Sequence, residues 1–180
     1  MSNSSNELIP LTTLDDLLHR TGCTSGCAGE RPVWTTWTTV PGEPFQGRPS
    51  AVARRAFAAE AVIAVLVRRK DDRLAMVTLR AAQGTSTEAM GEWEVLPTRG
   101  ALAVDPACAE CGSPALSARD DGSLEVFVRG GDALLWQTRW SPGAGWAARY
   151  TALGGVPSAR PGVVARALPG NRQAIALLMA

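Results

Sequence analysis

Residues 115–152 read ALSARDDGSLEVFVRGGDALLWQTRWSPGAGWAARYTA. Their pattern predicts four short strands, at Ala115–Ala118, Leu124–Arg129, Leu134–Trp140 and Trp146–Ala152. Between them lie Asp120-Asp121-Gly122, Gly130-Gly131-Asp132 and Ser141-Pro142-Gly143. Each is a turn signal with a mechanism: glycine reaches positive φ without a Cβ clash, and proline interrupts a hydrogen-bonded ladder. Leu124, Val126 and Val128 alternate with Glu125, Phe127 and Arg129, the period of two expected of a strand. Four such strands in tandem make one antiparallel unit.

The same unit recurs outward from this stretch. Three tryptophan-led segments begin at Trp34, Trp93 and Trp146, and each precedes a proline-led apolar segment beginning at Arg48-Pro49, Ser113-Pro114 or Arg160-Pro161. The prolines stand 65 and 47 residues apart. The shorter interval suits a four-stranded propeller blade, and insertions stretch the longer one. An earlier unit is predicted with strands at Ala51–Arg55, Val62–Arg68, Leu74–Arg80 and Trp93–Leu96. Ala61 to Val67 is almost continuously apolar, as in a strand buried on both faces. A final pair of strands follows Pro161, ending in a segment from Gln173 to Met179.

The expected fold is therefore all-β: propeller-like blades, two full four-stranded units plus partial units. Propellers close from about 4–8 blades, so this count does not close a ring from one chain. Assembly with further copies, docking on another protein, or a small sandwich or barrel of the same strand count all fit the pattern.

Residues 1–32 stand outside the repeat and form an N-terminal arm; residues 33–180 form the repeat domain. The arm opens with a Ser/Asn-rich stretch of the composition typical of disorder. Leu11, Leu14, Leu17 and Leu18 fall at helical spacing, with Thr12 or Thr13 to cap and Asp15 and Asp16 in the first turn. The spacing predicts a helix of about two turns ending near Gly22, too short to stand alone. Its leucine face covers either the protein's own β core or a partner.

Composition narrows the function classes. With 18 Lys+Arg against 17 Asp+Glu, the chain has no basic excess for nucleic acid or an anionic membrane. No apolar run approaches the roughly 20 residues that span a bilayer as a helix. The first residues lack the charged and apolar regions of a signal peptide, so a cytoplasmic protein is expected, or one exported by a signal-independent route. His19 is the single histidine, which leaves little for a His-dependent triad. Nucleophile-elbow, phosphate-loop and zinc-protease motifs are absent. Asp71-Asp72 and Asp120-Asp121 sit at turns, where Asp is ordinary turn chemistry. A non-enzymatic protein is expected.

The four cysteines form two close pairs, Cys23 with Cys27 and Cys108 with Cys111, separated by 81 residues. Converging, they supply the four thiolates of a closed structural zinc site. Disulfides, unliganded thiols, or His19 replacing one cysteine are the alternatives.

Residues 121–140, with Gly145-Trp146, Leu153-Gly154-Gly155 and Arg160-Pro161 after them, resemble a repeat of the PLL-type bacterial β-propeller lectins. The resemblance spans about residues 113–165, is fainter over 34–99 and 166–180, and does not reach 1–32. In that family, glycans, often fucosylated or methylated, bind between adjacent blades in pockets lined by aromatic and polar residues. The resemblance implies Trp136, Arg139, Trp140 and Trp146 as lining here. A tryptophan ring stacks on the C–H face of a sugar and arginine donates to its hydroxyls. The earlier unit carries Met76, Val77 and Leu79 in the comparable strand, without an aromatic. Two readings follow. One is a zinc-stabilised binding or scaffold protein in a homo-oligomer or larger assembly; the alternative is a glycan-binding lectin module.

Overall fold

The computed structural model describes residues 11–14, 17–20, 23–25, 33–34, 38–40, 42, 44–55, 61–80, 88–89, 91–97, 113–158, 161–168 and 172–178. Every regular element among them is a strand, and every pairing is antiparallel.

The middle unit follows its sequence pattern closely. Strands β11 (Ala115–Ala118), β12 (Leu124–Arg129), β13 (Leu135–Ser141) and β14 (Gly145–Trp146) form a meander, and β15 (Thr151–Gly154) also pairs with β13. The single fourth strand expected at Trp146–Ala152 is thus two short ones. Residues 147–150 leave the ladder and Tyr150 turns inward, 7% exposed.

The first full sheet has the same order: β6 (Phe45–Arg55), β7 (Ala61–Arg69), β8 (Leu74–Arg80) and β10 (Glu94–Val95), with β9 (Glu88–Ala89) also on β8. β6 starts six residues before the expected Ala51. Pro49 cannot donate to a ladder, and the register shifts between Gln46 and Ser50 to pass it. The C-terminal sheet is a two-stranded ladder of β16 (Gly162–Leu168) and β17 (Arg172–Leu178).

The N-terminal residues differ from expectation. Where leucine spacing predicts a helix, the described backbone is a hairpin of β1 (Leu11–Leu14) and β2 (Leu17–Arg20). A two-turn helix is marginal without packing, whereas β2 gains a ladder with β5 (Thr38–Thr39). β3 (Cys23–Ser25) pairs with β4 (Val33–Trp34).

Three hairpin turns share one design. Arg69 to Arg73, Arg119 to Ser123 and Gly130 to Leu134 each carry two backbone bonds: the first residue's N–H donates to the fifth's carbonyl, and the fourth's N–H donates to the first's carbonyl. In each, the third residue is an aspartate (Asp71, Asp121, Asp132) whose carboxylate accepts from the fifth residue's N–H, at 2.9–3.2 Å. The fourth residue is left-handed, with φ of 65° at Asp72, 79° at Gly122 and 63° at Ala133. This is the three-residue hairpin loop with a left-handed closing residue, and it assigns Asp71 and Asp121 to turn structure.

The sheets are joined through their first strands. β1 packs beside β6, β6 beside β11, and β11 beside β16. Two serines clip β6 to β11: Leu116 N–H donates to Ser50 Oγ and Arg48 N–H to Ser113 Oγ, both at 3.0 Å. Side chains on each first strand then divide by alternation. Ser50 and Val52 face the middle sheet, Leu116 faces back towards the first sheet, Ala115 faces forward, and Val163 faces back onto the middle sheet. Ala64, Leu66, Leu74 and Met76 of the first sheet meet Leu116, Leu124, Val126 and Val128 of the middle one in the main core. Val40, Phe45, Val65, Val67 and Val77 fill a second core on the first sheet's other face. Phe127 and Leu135 meet Val163, Ile175 and Leu177 in a third. The sheets are open; the described strands form no closed propeller.

Candidate functional site

The middle sheet presents two chemically different faces. Cross-strand pairs Val128–Trp136, Val126–Thr138, Leu124–Trp140 and Trp140–Trp146 place three tryptophans on the face that meets the first sheet. Trp136, Trp140 and Trp146 are each half-buried and packed against the main core. Trp136 is held by its indole N–H, which lies 3.1 and 3.2 Å from the two Asp132 carboxylate oxygens. Asp132 thus closes a turn and orients a ring four residues on.

Polar atoms are buried among these rings. Trp146 Nε1, Tyr150 Oη and Thr138 Oγ1 are enclosed with no hydrogen-bond partner. Burial raises the Tyr150 hydroxyl well above the ordinary tyrosine pKa, against the opposing pull of the Arg68 charge. Arg68 is 1% exposed; burial lowers its pKa, while its ion pair with Asp72 at 3.7 Å acts in the other direction.

Arg139 stands one position out of phase with the tryptophans and belongs to the opposite face. It donates to Asp121 Oδ2 and Ser123 Oγ, both at 3.1 Å, and lies 3.9 Å from Glu125. Glu125, 2% exposed, accepts from Arg119 Nε at 2.8 Å and from Gln137 Nε2 at 2.6 Å. The two Ser123 hydrogen bonds, with Arg139 and Arg119 behind them, hold the Asp121 carboxyl below its usual pKa. Of the four lining residues expected from sequence, the structure brings three together and sets Arg139 in this separate polar cluster. Asp132 and Tyr150 are the neighbours that sequence reading missed. Asp132 was visible only as a turn residue, and nothing local marks Tyr150 as inward-facing.

A cleft of about 350 Å³ lies where β6, β11 and β16 meet, lined by Ser50, Ala51, Ala115, Leu116 and residues 161–163. It carries no aromatic or charged side chain. Cys23 begins β3 opposite Trp34, while Cys27, Cys108 and Cys111 lie outside the described residues, and with them the expected zinc site.

The architecture has a counterpart among solved structures. A fucose lectin from Kordia zhangzhouensis, in complex with methyl-fucoside, matches with a TM-score of 0.51 over 83% of this chain and 92% of that one. The two chains share a fold. At 13% identity the likeness is one of fold alone. No protein-family model and no curated protein matches the chain.

Proposed function

We propose that the protein binds carbohydrate, using the tryptophan face of the middle sheet where its outer strands meet the first sheet. One observation carries this reading. Three tryptophans converge on β13 and β14, each packed against the main core and part-exposed. Such rings offer flat apolar area to sugar C–H groups at little conformational cost. The lectin-like fold supports the same reading, and the bound sugar of the similar structure supplies a first probe.

The test is titration calorimetry with methyl-fucoside, after a glycan array to rank sugars. Trp140→Ala is expected to weaken binding at least about tenfold, or about 1.4 kcal/mol. Arg139→Ala, on the other face, is expected to leave it within about twofold, or about 0.4 kcal/mol. An array with no bound glycan would sink the reading; equal losses from both variants would move the site to the polar face.

A further inference from the structure

The C-terminal sheet exposes a face that the two full sheets bury. The third residue after each repeat proline is Val52, Ser117 or Val164. Val52 packs into the core shared with the following sheet, and Ser117 is 3% exposed. Val164 is 53% exposed. On the second strand, the residue opposite the first position after each proline is Leu66, Phe127 or Leu178. Their exposures are 0%, 3% and 64%. Ala174 and Ala176, which alternate with Ile175 and Leu177 on β17 and share the face of Leu178, are exposed as well. Exposed apolar side chains thus occupy the face through which the earlier sheets meet the sheet that follows, Val52 and Leu66 in the first and Ala115 and Phe127 in the middle one.

The edge repeats the message. β7 and β12 are paired on both sides, whereas β17 is paired only with β16 among the described residues. An apolar face beside an open strand edge is a template for further β structure.

We infer that this C-terminal face docks the N-terminal sheet (β1, β2, β5) of a second copy, head to tail. The choice of occupant follows from the internal interfaces. Each full sheet receives its neighbour by the same alternation, first strand beside first strand. The N-terminal sheet has β6 following it and, among the described residues, no sheet preceding it. Among the described residues, the preceding side of this sheet and the following side of the C-terminal sheet each stand without a partner sheet. A contact between two different surfaces is heterologous, and gives a ring if its rotation closes.

Native mass spectrometry of the full chain across a wide concentration range tests this. Oligomers are expected for the unaltered protein, and monomers for Val164→Glu/Leu178→Glu with an unchanged circular dichroism spectrum. Val156→Glu, at a position 72% exposed and outside this face, is expected to keep the oligomer. A photo-crosslinking amino acid at position 164 should join residues 11–39 of another copy. A monomer at every concentration overturns the inference, as does crosslinking to residues 162–178 of another copy, which would mean a face-to-face contact.

Discussion

Tyr150 is the chain's single tyrosine and lies 7% exposed in the main core. Its native pKa is raised by burial, whereas an unfolded chain ionises tyrosine near about 10. A raised native pKa contributes stability that is complete below the unfolded value and lost as pH climbs through and beyond it. Tyrosinate absorbance is therefore expected to appear together with loss of the β-sheet circular dichroism in an alkaline titration. Absorbance rising while the sheet signal persists would mean the hydroxyl is reached without unfolding. Tyr150→Phe removes a buried hydroxyl that has no partner, so the variant is expected to be at least as stable and to resist alkali further.

Among the elements, the three matched turns separate what the loop requires from what its residues happen to be. All three need a left-handed fourth residue; glycine supplies it at Gly122, while Asp72 and Ala133 reach it at a cost. Asp72 is compensated, accepting from Gln46 Nε2 at 2.7 Å and pairing with Arg68. Ala133 has no polar side-chain atom with which to do the same. Ala133→Gly is therefore expected to stabilise the protein by about 0.5–1 kcal/mol, the reverse of the usual effect of glycine. Chemical denaturation reads this directly, and a lower midpoint would show that the left-handed conformation is not strained.

Across the whole molecule, the main core is built by two sheets and owned by neither. Leu66 belongs to β7 and is fully buried against side chains of the middle sheet. Leu66→Ala is expected to cost about 2–5 kcal/mol. Because Trp136, Trp140 and Trp146 pack on the same core, their fluorescence should shift at the same denaturant concentration as the far-ultraviolet signal. Separated transitions would show that the two sheets fold as independent units.

The sequence by itself determined the central strands of the two full units and the turns between them, because both are set locally. Period-two alternation selects the strand, and Asp or Gly at the right place selects the loop. Leu124–Arg129 and Leu74–Arg80 match to the residue for this reason. The short N-terminal segment was not legible, since leucines at positions 11, 14, 17 and 18 suit a helix until β5 supplies a ladder partner. The same limit held for the site. The lectin-repeat resemblance drew attention to Trp136, Arg139, Trp140 and Trp146 alike, but only the packed sheet separates them. A one-residue step along β13 carries Arg139 to the opposite face. The polar neighbours of the tryptophan face, Tyr150 above all, come together through contacts between strands and sheets, which no local pattern encodes.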